Sequence, residues 1–194
     1  MTVGARASAQ DASVAVTDLR DRTIVLHVAN YPALWPHVLA WARARVEKVY
    51  EGIGVRIVWV ESDDTVRQGQ DGRRHLTVIL LSRDMAAKKI SAERTPAHVL
   101  GQAHLATGRV YIFCDRVAAA HGTPTLLSIP LGNVIAHEVG HLLLRENSHS
   151  HKGLMRANVD LQSMQRQNFD TSQTTAIRTS WSTPAQPAPL DDLR

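Results

Sequence analysis

The segment Asn133-Val134-Ile135-Ala136-His137-Glu138-Val139-Gly140-His141-Leu142-Leu143-Leu144 sets a conflict that any fold of this chain must resolve. Its apolar residues demand burial, yet it also carries two imidazoles, a carboxylate and a glycine. On a helix, His137 and His141 lie four residues apart and project from one face, where both can reach a single metal ion. Glu138 projects beside them, placed to exchange a proton with water without itself being a ligand. Gly140 is costly inside a helix unless another group must approach it closely. The pattern predicts a helix over residues 130–145, with Pro130 in its first turn and Val134, Ile135, Val139, Leu142 and Leu143 as its buried stripe. The chemistry expected of such a set is hydrolysis assisted by Zn2+, with Glu138 as the catalytic general base.

A catalytic zinc takes three protein ligands and leaves one position open for substrate. The remaining candidates follow the helix, in Ser148-His149-Ser150-His151-Lys152-Gly153-Leu154-Met155. Asn147 tolerates the left-handed conformation that would end the helix and turn the chain back. His149 is the expected third ligand and His151 the alternative, whereas Glu146 falls in the last helical turn and points away from the metal face. Other motifs give little chemistry. His27 lies in a strand-like run without metal-binding neighbours and is expected to be a core or edge histidine.

Composition limits the alternatives. At 194 residues the chain suits one domain, with a flexible arm expected over residues 1–22, the domain over 23–182, and a Pro-rich disordered tail over 183–194. The apolar runs are too short to span a bilayer. Lys and Arg exceed Asp and Glu by four (22 − 18), spread along the chain, so a nucleic-acid partner is not expected. Cys114 is the only cysteine, which excludes an internal disulfide and a cysteine-based zinc cluster; its apolar surroundings predict a buried, inert thiol. Ala7-Ser8-Ala9 before Gln10 resembles a signal-peptidase site, although no apolar segment precedes it. The expectation is an exported protein, with a cytoplasmic location as the alternative.

The hydrophobic pattern predicts an α/β (α+β) fold. Strands are expected over residues 23–29, 55–60, 76–81, 101–106 and 109–113. A helix over residues 33–51 separates the first two, with Leu39, Ala42, Val46, Val49, Tyr50 and Ile53 on its buried face and Arg45 among its solvent-facing charges. That strand–helix–strand unit implies a parallel pair. Thr107-Gly108 is a tight turn, so the fourth strand should run antiparallel to the fifth at the sheet edge, free to pair with an extended peptide. Residues 61–75 are a polar loop, and 82–96 a loop with room for a short helix. Asp115 should cap a short helix ending at Ala120, and Asp170 or Thr171 the last helix.

Over residues 108–157 the chain resembles the metzincin-type zincins, and more closely a set of small bacterial proteins carrying H-E-x-G-H-L-L-L, then Asn-Ser-His-Ser and Gly-Ile/Leu-Met. Metzincins have H-E-x-x-H-x-x-G-x-x-H; here Leu144 stands at the glycine position and Asn147 at that of the third histidine. Gly153-Leu154-Met155 resembles the methionine turn, which would set Met155 beneath the imidazoles. The resemblance implies a mixed five-stranded sheet with an antiparallel edge strand, a backing helix and an active-site helix. It also implies a zinc metallopeptidase acting on a peptide or protein substrate. The tyrosine that some metzincins add to stabilise the oxyanion has no counterpart, leaving that role vacant or to Arg156. Two alternatives follow: a zinc-dependent ribonuclease, whose motif lacks a glutamate after its first histidine, and a catalytically inactive zincin-like binding module.

Overall fold

Strand β1 (Thr23–Asn30) alternates residues between two faces, and nearly all of them are buried. A strand covered on both sides belongs inside a sheet. In a computed structural model that describes residues 22–61, 73–121, 127–144, 148–157 and 167–181, β1 is flanked on both edges. Its neighbours are β2 (Arg56–Glu61) and β3 (Arg74–Leu81), both parallel to it. The five-stranded sheet runs β2-β1-β3-β5-β4. β5 (Arg109–Phe113) is parallel to β3, and β4 (Gly101–His104) is antiparallel to β5 at the edge. The fourth strand is shorter than predicted because Leu105–Thr107 closes into a 3-10 turn, ended by Gly108 at φ 61°. The expected arm, the signal-peptidase-like pattern, most of the polar loop, Asn147 and the tail lie outside the described residues.

One face of the sheet presents Ile24, Leu26, Val28, Val78, Leu80, Val110 and Ile112 to two helices, α1 (Pro36–Glu51) and the motif-bearing helix α4. The opposite face presents Leu81 and Phe113, with Ile79 and Tyr111, to α2 (Arg83–Glu93). This helix fills most of the stretch predicted as loop. Ser82 caps it, accepting from the Met85 N–H, and its apolar residues are too few to show a period. Helix α3 (Cys114–His121) starts before Asp115, which therefore lies in its first turn and does not cap it as expected, and pairs with Arg83 at 2.9 Å.

Helix α1 starts three residues later than the periodicity suggests. Trp35 precedes Pro36, and the proline ring forces the residue before it into an extended conformation, here ψ 136°. Six of its apolar positions are buried as predicted, Ile53 just beyond its end included. Arg45 corrects the reading: it is buried, donating from Nε to Asn133 Oδ1 (2.8 Å) and from Nη2 to the Gln167 carbonyl (2.5 Å). Its stem lies along the helix interface, and these acceptors replace the water its guanidinium loses. Helix α5 (Thr171–Thr179) carries Asp170 as its cap, with Gln173 completing a reciprocal capping box. No helix among the described residues is long and apolar enough to cross a membrane.

Two consequences can be measured. A Cβ on Gly132 would stand 2.6 Å from the Ala42 carbonyl oxygen, which is backbone and cannot swing aside. Gly132→Ala should therefore lower stability by about 1–3 kcal/mol in urea denaturation, through separation of α1 from α4. Burial pushes the Cys114 thiol up to about 12, with Asp115 adding to the effect. The native protein should leave a thiol reagent such as dithionitrobenzoate unreacted at pH 8, and denaturation should release one thiol per chain.

Candidate metal centre

Helix α4 (Ser128–Leu144) is buried at every position from Pro130 to Gly140, as suits a helix apolar on all sides. Pro130 sits in its first turn, where a missing N–H costs no helical hydrogen bond. Three features hold the helix in place. Arg45 bonds Asn133, Tyr50 donates its hydroxyl proton to the Ala136 carbonyl at 2.9 Å, and Gly140 opens a gap that Met155 fills. A Cβ on Gly140 would lie 2.7 Å from Met155 Sδ and 3.0 Å from Phe169 Cε1. The cost of glycine in this helix is thus offset by packing of the Leu154-Met155 turn.

After the helix, Ser148–Arg156 forms a loop closed on itself. The Ser150 N–H donates to the Met155 carbonyl (2.8 Å), and the Leu154 N–H to the Asn168 carbonyl (3.0 Å). Gly153 takes φ 80° and passes so near the Asn168 carbonyl that a Cβ there would stand 2.8 Å away. This closure carries His149 back over the helix. Ligand atoms of His137, His141 and His149 lie within 4.8 Å of one another and could hold a metal ion. The His149 ring stands 5.5 Å from that of His137 and 4.7 Å from that of His141, centre to centre. His151, the alternative ligand, is exposed and outside this group.

The hydrogen bonds test whether these nitrogens fit an ion. His137 Nδ1 faces the Leu154 carbonyl at 2.8 Å. A carbonyl only accepts, so Nδ1 carries the proton and Nε2 presents its lone pair. His141 Nε2 is 3.0 Å from that nitrogen, and His141 Nδ1 is 2.5 Å from Ser148 Oγ. Nitrogens on a tetrahedral zinc, with bonds of about 2.0–2.1 Å, stand about 3.3 Å apart. The observed spacing is close to that, and the donor set is the neutral imidazole such ions prefer. Burial lowers the His141 pKa to about 3, with His137 and His149 adding to the effect. Burial likewise lowers His137, against the raising influence of the Leu154 carbonyl. Both rings are held neutral, as ligation requires.

Glu138 is buried in the wall of the same cleft, whose volume is about 480 Å³. Burial pushes its pKa up to about 8. The opposing wall is strand β4, and the contact explains a glycine that carries no signal in sequence. A Cβ on Gly101 would meet Glu138 Cγ at 2.6 Å and Oε1 at 2.8 Å. The edge strand therefore lies directly against the carboxylate-bearing side chain. His98 and His104 also line the cleft, though nothing about them in sequence suggests it. Met155 is fully buried behind Gly140. Arg156 lines a different cavity with Lys152 and Phe169, and is not among the residues of the histidine cleft.

Chemically, the arrangement offers three converging imidazole nitrogens, one carboxyl group whose pKa burial raises, and the edge strand β4 beside them. In comparison with known proteins, no protein-family model matches this chain, and no curated protein matches it.

Proposed function

We propose that this chain is a zinc-dependent metalloendopeptidase built on a zincin-like fold. One observation carries the reading: three imidazoles, a buried glutamate and an edge strand meet in a single cleft. His137, His141 and His149 would hold the ion, which when bound supplies a Lewis acid for a carbonyl and acidifies a water at its open position. Glu138 would take a proton from the attacking water and return it to the leaving amine. Burial raises the Glu138 carboxyl to about 8, and a cation held beside it would draw it back towards the carboxylate that takes the proton. The free edge of β4 pairs with an extended peptide backbone, laying it across Gly101 and past Glu138. The glutamate next to the first histidine favours this reading over a ribonuclease that lacks one. The mixed sheet, its antiparallel edge and the Gly153-Leu154-Met155 turn behind the motif helix support the zincin-like reading.

Metal analysis of the purified chain should find one zinc per molecule. His149→Ala should lose it and His151→Ala keep it; loss from the His151 variant alone would reassign the third ligand. Glu138→Gln should retain zinc while casein or peptide-library cleavage falls by about 10²–10⁴-fold. Zinc uptake by the parent with no cleavage of any peptide would instead make the protein a binding module. RNA cleavage indifferent to Glu138→Gln would make it a nuclease.

A further inference from the structure

Each helix histidine turns one ring nitrogen towards its neighbour and the other towards the loop. For His137 the loop partner is the Leu154 carbonyl, which leaves no choice of tautomer. For His141 the partner is the hydroxyl of Ser148, at 2.5 Å from Nδ1. A hydroxyl donates or accepts, so this bond alone is compatible with either tautomer; with an ion on His141 Nε2, Nδ1 must carry the proton and the hydroxyl must accept it.

Ser148 is held from the far side. Gln173, buried on α5, accepts the Asp170 N–H through Oε1 at 3.1 Å. That bond orients the amide, because only the oxygen can accept. The Gln173 Nε2 group is then turned towards the Ser148 carbonyl, 3.4 Å away. The reciprocal half of the cap, from the Gln173 N–H to Asp170 Oδ1 at 2.8 Å, anchors the same residue to the start of α5. A continuous path thus runs from the last described helix through Gln173 and Ser148 to the ring of His141. Ser148 also immediately precedes His149, so the placement of its backbone governs the placement of the third imidazole.

We infer that Ser148 is a positioning residue for the metal centre: its hydroxyl accepts from His141 Nδ1–H and keeps the His141 Nε2 lone pair facing the ion, while Gln173 fixes the Ser148 backbone. The inference rests on the metal-site reading above. Removing such a partner from a ligating histidine costs metal affinity because the ring gains a second tautomer and freedom to rotate. It leaves the ligand count untouched. A change at Ser148 should therefore weaken binding without changing stoichiometry, unlike a change at a ligand.

The test uses the full chain and zinc alone, titrated against a chromophoric chelator. Ser148→Ala should still bind one zinc per chain, about 10–100-fold more weakly than the parent. Ser148→Thr, which keeps the hydroxyl, should restore the parent affinity, and Gln173→Leu should lose affinity by less than Ser148→Ala. Nitrogen–proton NMR spectra of the zinc-loaded parent should show His141 bound through Nε2 and protonated at Nδ1, with the Nδ1–H exchanging faster in Ser148→Ala. Parent-like affinity in Ser148→Ala, or an equal loss in Ser148→Ala and Ser148→Thr, overturns the inference. So does coordination of zinc through His141 Nδ1 in place of Nε2 in the zinc-loaded parent, a result that needs no variant to fold. Failure of the parent to take up zinc overturns instead the metal-site reading beneath it.

Discussion

Burial of helix α4 on nearly every side is the constraint on which the rest of the structure depends. A helix that carries polar functional groups yet is surrounded by protein must find each of those groups a partner. Asn133 meets Arg45, and the Ala136 carbonyl meets the Tyr50 hydroxyl. His137 and His141 meet the loop that follows. Close approach is made possible by missing side chains. Gly132 admits the backbone of α1, Gly140 admits Met155, and Gly101 on the edge strand leaves room for Glu138. Each glycine lies at a different contact of the same helix. Together they bring the sheet, the backing helix and the loop into contact with the motif.

Burial also explains the electrostatics with one cause. Desolvation disfavours charge, so it lowers the histidines and raises the glutamate. The shifts have opposite signs but the same result: the protein's own groups tend towards a neutral set. Such a set can be buried by folding without a large charge penalty, and then remains receptive to a cation.

The loop that carries His149 is held less by its own sequence than by what lies behind it. Ser150 closes the loop onto Met155, Asn168 secures Leu154, and Gln173 reaches Ser148 from α5. The loop's carbonyl at Leu154 and hydroxyl at Ser148 are in turn the partners of the two helix histidines. The three imidazoles are therefore not independent. A displacement of the loop moves His149 and releases the rings of the other two at once.

The sequence by itself determined the parts whose signals are local. The i, i+4 histidine pair, the apolar stripe of α1, the parallel strand–helix–strand unit and the Thr107-Gly108 turn all repeat or end within a few residues, so they were legible. Helix α2 was not, because its apolar positions are sparse and its partner surface belongs to Leu81 and Phe113 across the sheet. Arg45 reads as a surface charge because its partners, Asn133 and Gln167, lie 88 and 122 residues away. The placing of Gly101 against Glu138, of Ser148 against His141, and of His149 within the group while His151, equally exposed, stands outside it was decided only by tertiary structure. Spacing states which residue types are available for a site; only the packing of distant elements sets their distances, and coordination and proton transfer depend on distance.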